Sequence, residues 1–254
     1  MKLLTLARDL QRRRARERQH LFVAEGVRAV EELLRSGLEV QGAIVTHTLA
    51  SSPRGAALRA SLDAGSAPVL EVDARDFASA ASTDSPQGVL VIAAIPQRTI
   101  HSLGAGPHAR LLILDGVQDP GNVGTLIRTA AAFGVSATLA MPGTVDFWNG
   151  KVVRSAMGAL FHHPVLNCTW DELDRFLAEH EIPAWGADAG GEPLERIFPP
   201  FPEALAIAVG NEGAGLSPAA SERVTRRIAI RTRPNVESLN VAVAAGIFLH
   251  HFQS

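Results

Sequence analysis

Three polar stretches in the second half of the chain hold the residues best suited to chemistry. Asp119-Pro120-Gly121-Asn122-Val123-Gly124 is followed by Arg128, Gly210-Asn211-Glu212-Gly213-Ala214-Gly215 leads into Ser217-Pro218, and Arg231–Asn240 ends in Ser238-Leu239-Asn240. Amides, a carboxylate, a hydroxyl and a guanidinium can orient a substrate hydroxyl, stabilise developing charge or grip a phosphate. Glycines at the same places let backbone approach a ligand closely. The spacing Gly210-x-x-Gly213-x-Gly215 is not the dinucleotide fingerprint, and the sequence has no GxxxxGK[ST], which argues against NAD chemistry and phosphoryl transfer. Ser238 lacks the GxSxG context of a hydrolase nucleophile. His162-His163 and His250-His251 point apart on any regular element and have no carboxylate at ligand spacing, so no metal is expected. Cys168, on a strand-like run, reads as a buried inert thiol. Trp148, Trp170 and Trp185 read as packing residues rather than base-stacking platforms.

The elements that must position these loops are short apolar strands and amphipathic helices. Leu111-Leu112-Ile113-Leu114 is a strand, and Leu126, Ile127, Ala130, Ala131 and Phe133 give the apolar face of a helix closed by Gly134. Strand, glycine-rich loop and helix aim backbone N–H groups and a helix N-terminus at a ligand. Ala137–Met141, Val165–Cys168, Ile182–Ala187, Leu205–Val209 and Arg226–Ile230 are further strands, with Asp188–Pro202 as a Gly/Pro-rich excursion. Helices are predicted over Trp148–Gly158, Trp170–His180, from Ser217-Pro218, and over Leu239–Phe252. The alternation implies an α/β protein with a mostly parallel sheet, and loops at strand carboxyl ends then form one composite pocket.

Residues 1–94 read as a smaller α/β domain, 95–109 as a linker without periodicity, and 110–254 as the second domain. In the first, residues 1–18 have helical composition with no breaker; Leu21–Ala24, Val40–Val45, Val69–Val72 and Val89–Ala94 are strands, and Val27–Arg35, Ser51–Leu62 and Ala74–Ala81 are helices. With 46% hydrophobic and 20% charged residues the chain is a folded protein, and no apolar run is long enough for a membrane span. One cysteine and no recognisable secretion signal favour the cytoplasm. A net charge of −2 gives no global pull toward nucleic acid, yet Arg8, Arg12, Arg13, Arg14, Arg16 and Arg18 concentrate positive charge in one segment, the footprint of an RNA-binding surface or of a solvated basic helix.

In this order the three loops resemble the SpoU/TrmH branch of the SPOUT RNA methyltransferases. Asn122-Val123-Gly124 with Arg128 matches the first motif, Gly210-Asn211-Glu212-Gly213 the second, and Ser238-Leu239-Asn240 the third; Lys151-Val152-Val153-Arg154 with Gly158 looks like the intermediate segment. Phe22-Val23-Ala24-Glu25-Gly26 and the helix after it look like the preceding substrate-binding domain. The resemblance implies a parallel-sheet domain with a deep trefoil knot, an exception to the rule against knots, preceded by a ribosomal protein L30e-like α/β domain. It implies S-adenosyl-L-methionine held largely by backbone at Gly210, Asn211, Gly213, Ile230 and Leu239, with Arg128, Asn122, Glu212, Ser238 and Asn240 around the reacting ribose. It also implies a homodimer through the C-terminal helix and 2′-O-methylation of structured RNA, ribosomal RNA first. A tRNA methyltransferase, a methyltransferase for a base or small molecule, and a non-catalytic RNA-binding knot protein are the alternatives; retained Arg128, Glu212 and Asn240 weigh against the last. One departure stands out: Ile230 is followed by Arg231-Thr232-Arg233-Pro234 where the family usually has Pro and an apolar residue.

Overall fold

The computed structural model describes residues 2–104, 106–236 and 238–252. The chain first forms α1 (Lys2–Asp9), α2 (Arg13–Gln19), β1 (Leu21–Glu25), α3 (Val27–Arg35), β2 (Val40–Val45), α4 (Pro53–Asp63), β3 (Val69–Glu71), α5 (Ala74–Ala78) and β4 (Val89–Ala94). Then come β5 (Arg110–Leu114), α6 (Pro120–Ala132), β6 (Ala137–Ala140), α7 (Gly150–Ser155), β7 (Val165–Asn167) and α8 (Trp170–Glu179). The last elements are β8 (Ala184–Pro193), β9 (Leu205–Val209), α9 (Pro218–Arg223), β10 (Arg226–Ala229) and α10 (Val241–His251). Packing divides the chain into two units: Met1–Gln97 with Asp146–His162, and Arg98–Val145 with His163–Ser254.

The first unit is built on a sheet of order β1-β4-β2-β3, in which β4 runs antiparallel to β1 and β2 while β2 and β3 are parallel. Leu4, Ala7 and Leu10 bury themselves against Ile44, Leu90, Ile92 and Phe77. The single helix predicted over residues 1–18 is in fact two, interrupted between Asp9 and Arg13. The cause is Arg16, only 4% exposed, whose Nη1 donates to the carbonyls of Leu10 (2.7 Å) and Gln11 (2.9 Å). Its Nε donates to Asp146 Oδ2 at 2.8 Å. A guanidinium thus satisfies carbonyls that the ending helix leaves without partners. Asp146–His162 belongs to this unit because Trp148 and Phe161 pack on Phe22, with ring centroids 4.5 and 5.8 Å away. Within it, the helix expected over Trp148–Gly158 is confined to α7, and a 3₁₀ turn follows at Ala159–Phe161.

The second unit holds a parallel sheet of order β10-β8-β9-β5-β6-β7. β6 and β7 lie to one side of β5 and β9, β8 and β10 to the other, so the order reverses between β5 and β9. Ligands in such sheets bind outside the carboxyl ends of the strands at that reversal. β8 extends to Pro193, through the start of the predicted Gly/Pro-rich excursion. Gly191 permits this, since a Cβ there would lie 2.7 Å from the Arg227 and Ile228 backbone of β10. The β8–β10 register slips between Arg227 and Ile228. Cys168 is buried, and burial, with Glu172 nearby, pushes its thiol up to about 12. His163 is buried with Nε2 2.8 Å from Thr138 Oγ1, and that burial, reinforced by Arg98, pushes it down to about 4.

Candidate active site

Asp119 begins α6 as its N-cap, with Oδ1 accepting from Asn122 N–H at 2.8 Å and Pro120 in the first turn. That cap places Asn122 on the first turn, and Arg128 lies exposed further along the helix. After β9 the chain closes a tight loop in which Asn211 and Gly215 exchange backbone N–H···O bonds of 2.9 Å. Asn211 Oδ1 accepts from the N–H groups of Gly213 (3.0 Å) and Ala214 (3.1 Å), and its Nδ2 donates to Gly116 O at 3.0 Å. Position 210 demands glycine, because a Cβ would sit 2.2 Å from the backbone of Gly215. Asp115, at the end of β5 and 4% exposed, accepts from Ser217 N–H at 2.6 Å and ties this loop down.

The third loop ends in Asn240, the N-cap of α10, whose Oδ1 accepts from Ala242 N–H (2.9 Å) and Val243 N–H (3.3 Å). Its Nδ2 donates to Asn122 Oδ1 at 2.8 Å, and Asn122 Nδ2 donates to Glu212 Oε1 at 3.0 Å. Glu212 also accepts the backbone N–H groups of Asp119 (3.2 Å) and Gln118 (3.3 Å). Partial burial pushes its carboxyl upward, but these donors outweigh it and hold the group below the usual carboxylate range. One residue from each predicted loop therefore meets in a single hydrogen-bonded chain.

Beside this chain lies a cleft of about 800 Å³. Gly210, Asn211, Gly213, Ile230 and Leu239 all line it, as do Glu212 and Ser238. Val209, Ile228 and Phe248 supply an apolar floor, while Asp188 and Arg231 add charge. Asp188 and Gly191 come from the excursion that sequence reasoning treated as a connection. The Gly190-Gly191 pair was the available signal, since glycine inside a strand marks a close backbone approach.

The structure separates the six N-terminal arginines. Arg16 is a correction: it is buried and bonded within the fold, so it has no surface to offer an RNA phosphate. Arg8 pairs with Asp76 (3.0 Å), Arg12 approaches Asp9 (3.8 Å) and Arg13 pairs with Glu17 (2.7 Å), all at exposed positions. Arg14 and Arg18 are exposed.

The parallel sheet, with a glycine-walled cleft at the carboxyl ends of β8, β9 and β10, defines an α/β protein with a small-ligand cleft at its strand ends. Residues 109–250 match the SpoU rRNA Methylase family, and residues 5–91 match the MRM3-like substrate binding domain. The chain belongs to the SpoU methylase family. It is similar to the 23S rRNA (guanosine(2553)-2'-O)-methyltransferase RlmP of Bacillus subtilis (strain 168), at 34% identity over 97% of this chain and 94% of that protein. Among solved structures it resembles a putative RNA methyltransferase of the TrmH family from Porphyromonas gingivalis, with TM-score 0.84, 29% identity, and coverage of 99% of this chain and 97% of that one. It also resembles an AdoMet-bound rRNA methyltransferase from Sinorhizobium meliloti, with TM-score 0.85, 26% identity, and coverage of 98% and 93%.

Proposed function

We propose that this protein methylates a ribose 2′-oxygen of ribosomal RNA with S-adenosyl-L-methionine as methyl donor. The observation that carries the reading is the Asn240–Asn122–Glu212 chain beside the glycine-walled cleft. The cleft fits a nucleoside-bearing cofactor: Gly210, Gly213 and Gly215 line it without side chains, and Val209, Ile228 and Phe248 offer apolar surface to an adenine ring. The names of the similar proteins from B. subtilis and S. meliloti supply the RNA class and the cofactor.

When bound, the cofactor supplies a methyl group already activated on a sulfonium. The chain's own task is to align the ribose hydroxyl and ease loss of its proton. A guanidinium stays protonated in proteins, so Arg128 acts as a fixed cation that favours the alkoxide and clamps the adjacent phosphate. Asn240 spends its carbonyl oxygen on capping α10, which turns its N–H₂ toward Asn122 and in turn fixes the Asn122 N–H₂ on Glu212. Glu212 accepts from Asn122 Nδ2 and from the backbone N–H groups of Gln118 and Asp119, so its oxygens hold Asn122 in place. Ser238, exposed on the cleft wall, adds a hydroxyl at the same edge.

The reading extends to the rest of the chain. Arg8, Arg12, Arg13, Arg14 and Arg18 give the first unit its RNA contacts, and the second is the methyltransferase domain. The loops after β9 and β10 would form the family's trefoil knot, as the return of the chain from β9 past β8 to β10 permits. Val243 (53% exposed) and Ile247 (38%) on α10 favour a homodimer, because the helix already buries Ala242, Ala245, Phe248 and Leu249. Sedimentation should therefore give twice the chain mass at micromolar concentration; an active monomer would refute the dimer. Among the described residues no helix is long and apolar enough to cross a membrane, and the sparse cysteine favours the cytoplasm.

The test is transfer of labelled methyl groups to unmodified ribosomal RNA, tRNA and free nucleosides. Label should appear in alkali-resistant dinucleotides from ribosomal RNA. Label on tRNA alone, on a base, or on none of the three would overturn the assignment.

A further inference from the structure

The segment after β10 carries two cations that the methyl-transfer reading leaves without a task. It runs Ile230-Arg231-Thr232-Arg233-Pro234-Asn235-Val236 before reaching Ser238 and Asn240. Its shape is pinned: Val236 N–H donates to Arg233 O at 2.9 Å, closing a turn with Pro234 at the position where a fixed φ is favoured. Thr232 Oγ1 donates to Val236 O at 3.0 Å across the same turn. Arg231 and Thr232 line the cleft, and both arginines are exposed.

Several other arginines of this unit are engaged within the fold. Arg110 donates to the carbonyls of Pro202 and Glu203, Arg223 pairs with Asp174, Arg226 with Glu192 and Arg227 with Asp188. Among the described residues neither Arg231 nor Arg233 has an ion-pair partner. The carboxylates of the cleft do not compensate them. Asp188 is held by Arg227 (3.2 Å) and Gly190 N–H (2.8 Å), and Glu212 by its three N–H donors.

We propose that Arg231 and Arg233 grip phosphates of the substrate RNA at the rim of the cleft, so that the methyltransferase unit carries phosphate contacts of its own. This rests on the RNA reading above. A guanidinium presents a planar fork that matches two phosphate oxygens, and two arginines on a pinned turn, with no ion-pair partner among the described residues, suit a backbone of repeated anions. The cofactor's single carboxylate would call on Arg231 alone, since Arg233 is not part of the cleft wall. Because the turn runs directly into Ser238 and Asn240, a strand held there is delivered beside the groups that orient the ribose.

The experiment uses the full chain with Arg231→Gln, Arg233→Gln and the double substitution, against an in vitro transcript of ribosomal RNA. Both positions are exposed, so the variants should fold, and thermal melting verifies it. Each substitution should lower the slope of log affinity against log salt by about 0.7–0.9. In the double variant the wild-type advantage should shrink about tenfold between roughly 50 and 200 mM salt. Affinity for S-adenosyl-L-methionine, measured by calorimetry without RNA, should not change in Arg233→Gln, which lies outside the cleft wall. Unchanged slopes in the variants, with a wild type that methylates RNA, would overturn this proposal alone. So would loss of cofactor affinity in Arg231→Gln with RNA binding intact, which would assign that cation to the cofactor's carboxylate. A wild type that binds no RNA would remove the functional reading and this proposal together.

Discussion

Glu25 and Glu212 make an instructive pair, one in each unit. Glu25, the last residue of β1 and 6% exposed, accepts Ser82 N–H (2.8 Å), Ser82 Oγ–H (2.6 Å) and Thr83 Oγ1–H, with Arg154 Nη1 at 3.7 Å. Glu212, just beyond β9, also accepts three donors, yet it is exposed and walls a cleft. The two carboxylates have similar partners and opposite access to solvent. Where water is excluded, losing the carboxylate strands its donors, so Glu25 fastens residues 82–83 and α7 to β1. Where a ligand can enter, the same bonding aims Asn122 and Asn240 without closing the site. On the function proposed for Glu212, access more than the number of hydrogen bonds separates a structural carboxylate from a functional one.

The largest effect should come from the exposed side of that contrast. Arg128→Ala should lower kcat by about 10²–10³, the scale of deleting a preorganised charge-stabilising group. Arg128→Lys should also be severely impaired, because it keeps charge but loses the planar fork. Cofactor affinity should hardly change in either, and single-turnover kinetics would show methyl transfer itself slowed. Wild-type turnover by Arg128→Ala would place the active site elsewhere.

On the buried side, Glu25→Ala should cost about 2–3 kcal/mol of stability through its stranded donors and the half-buried Arg154. Urea unfolding would measure it, and cofactor affinity of the folded variant should match wild type. Equal urea midpoints would erase the distinction between the two carboxylates.

The smallest effect concerns pH. The Glu212 carboxyl is held below its ordinary value, so the stability it contributes is present above that value and is lost as pH falls through the lowered one. Being exposed, it should give only a shallow acid dependence below about pH 4, absent in Glu212→Gln. A carboxyl NMR titration that midpoints above the ordinary glutamate value would contradict the hydrogen-bonded geometry.

Local chemistry was legible in the sequence, and distant packing was not. The β5–loop–α6 unit could be read because Asp119 and Pro120 are helix-start residues and the apolar face after them has a clear period. The site loops could be read because glycine, asparagine and a carboxylate recur at strand ends. The break between α1 and α2 could not, since it depends on a buried arginine whose acidic partner lies 130 residues away. Nor could the grouping of Asp146–His162 with the first unit, which rests on Phe22 meeting Trp148 and Phe161. The length of β8 rests on a similar contact: the Gly190-Gly191 pair signals a close approach, but only the β10 backbone pressed against Gly191 shows the strand continuing into the excursion. Nothing local marks Asp115 as the buried anchor for Ser217, since that contact joins residues 102 apart.

Cys168 gives the chain an unusual experimental convenience. It is the sole thiol in the sequence, and burial keeps it protonated far above neutral pH, where it is a poor nucleophile. Maleimide or methanethiosulfonate reagents should therefore leave the native protein unlabelled. A cysteine introduced at the exposed Ala57 on α4 would be the only reactive sulfur, so a spin label or fluorophore there could report on the otherwise native protein.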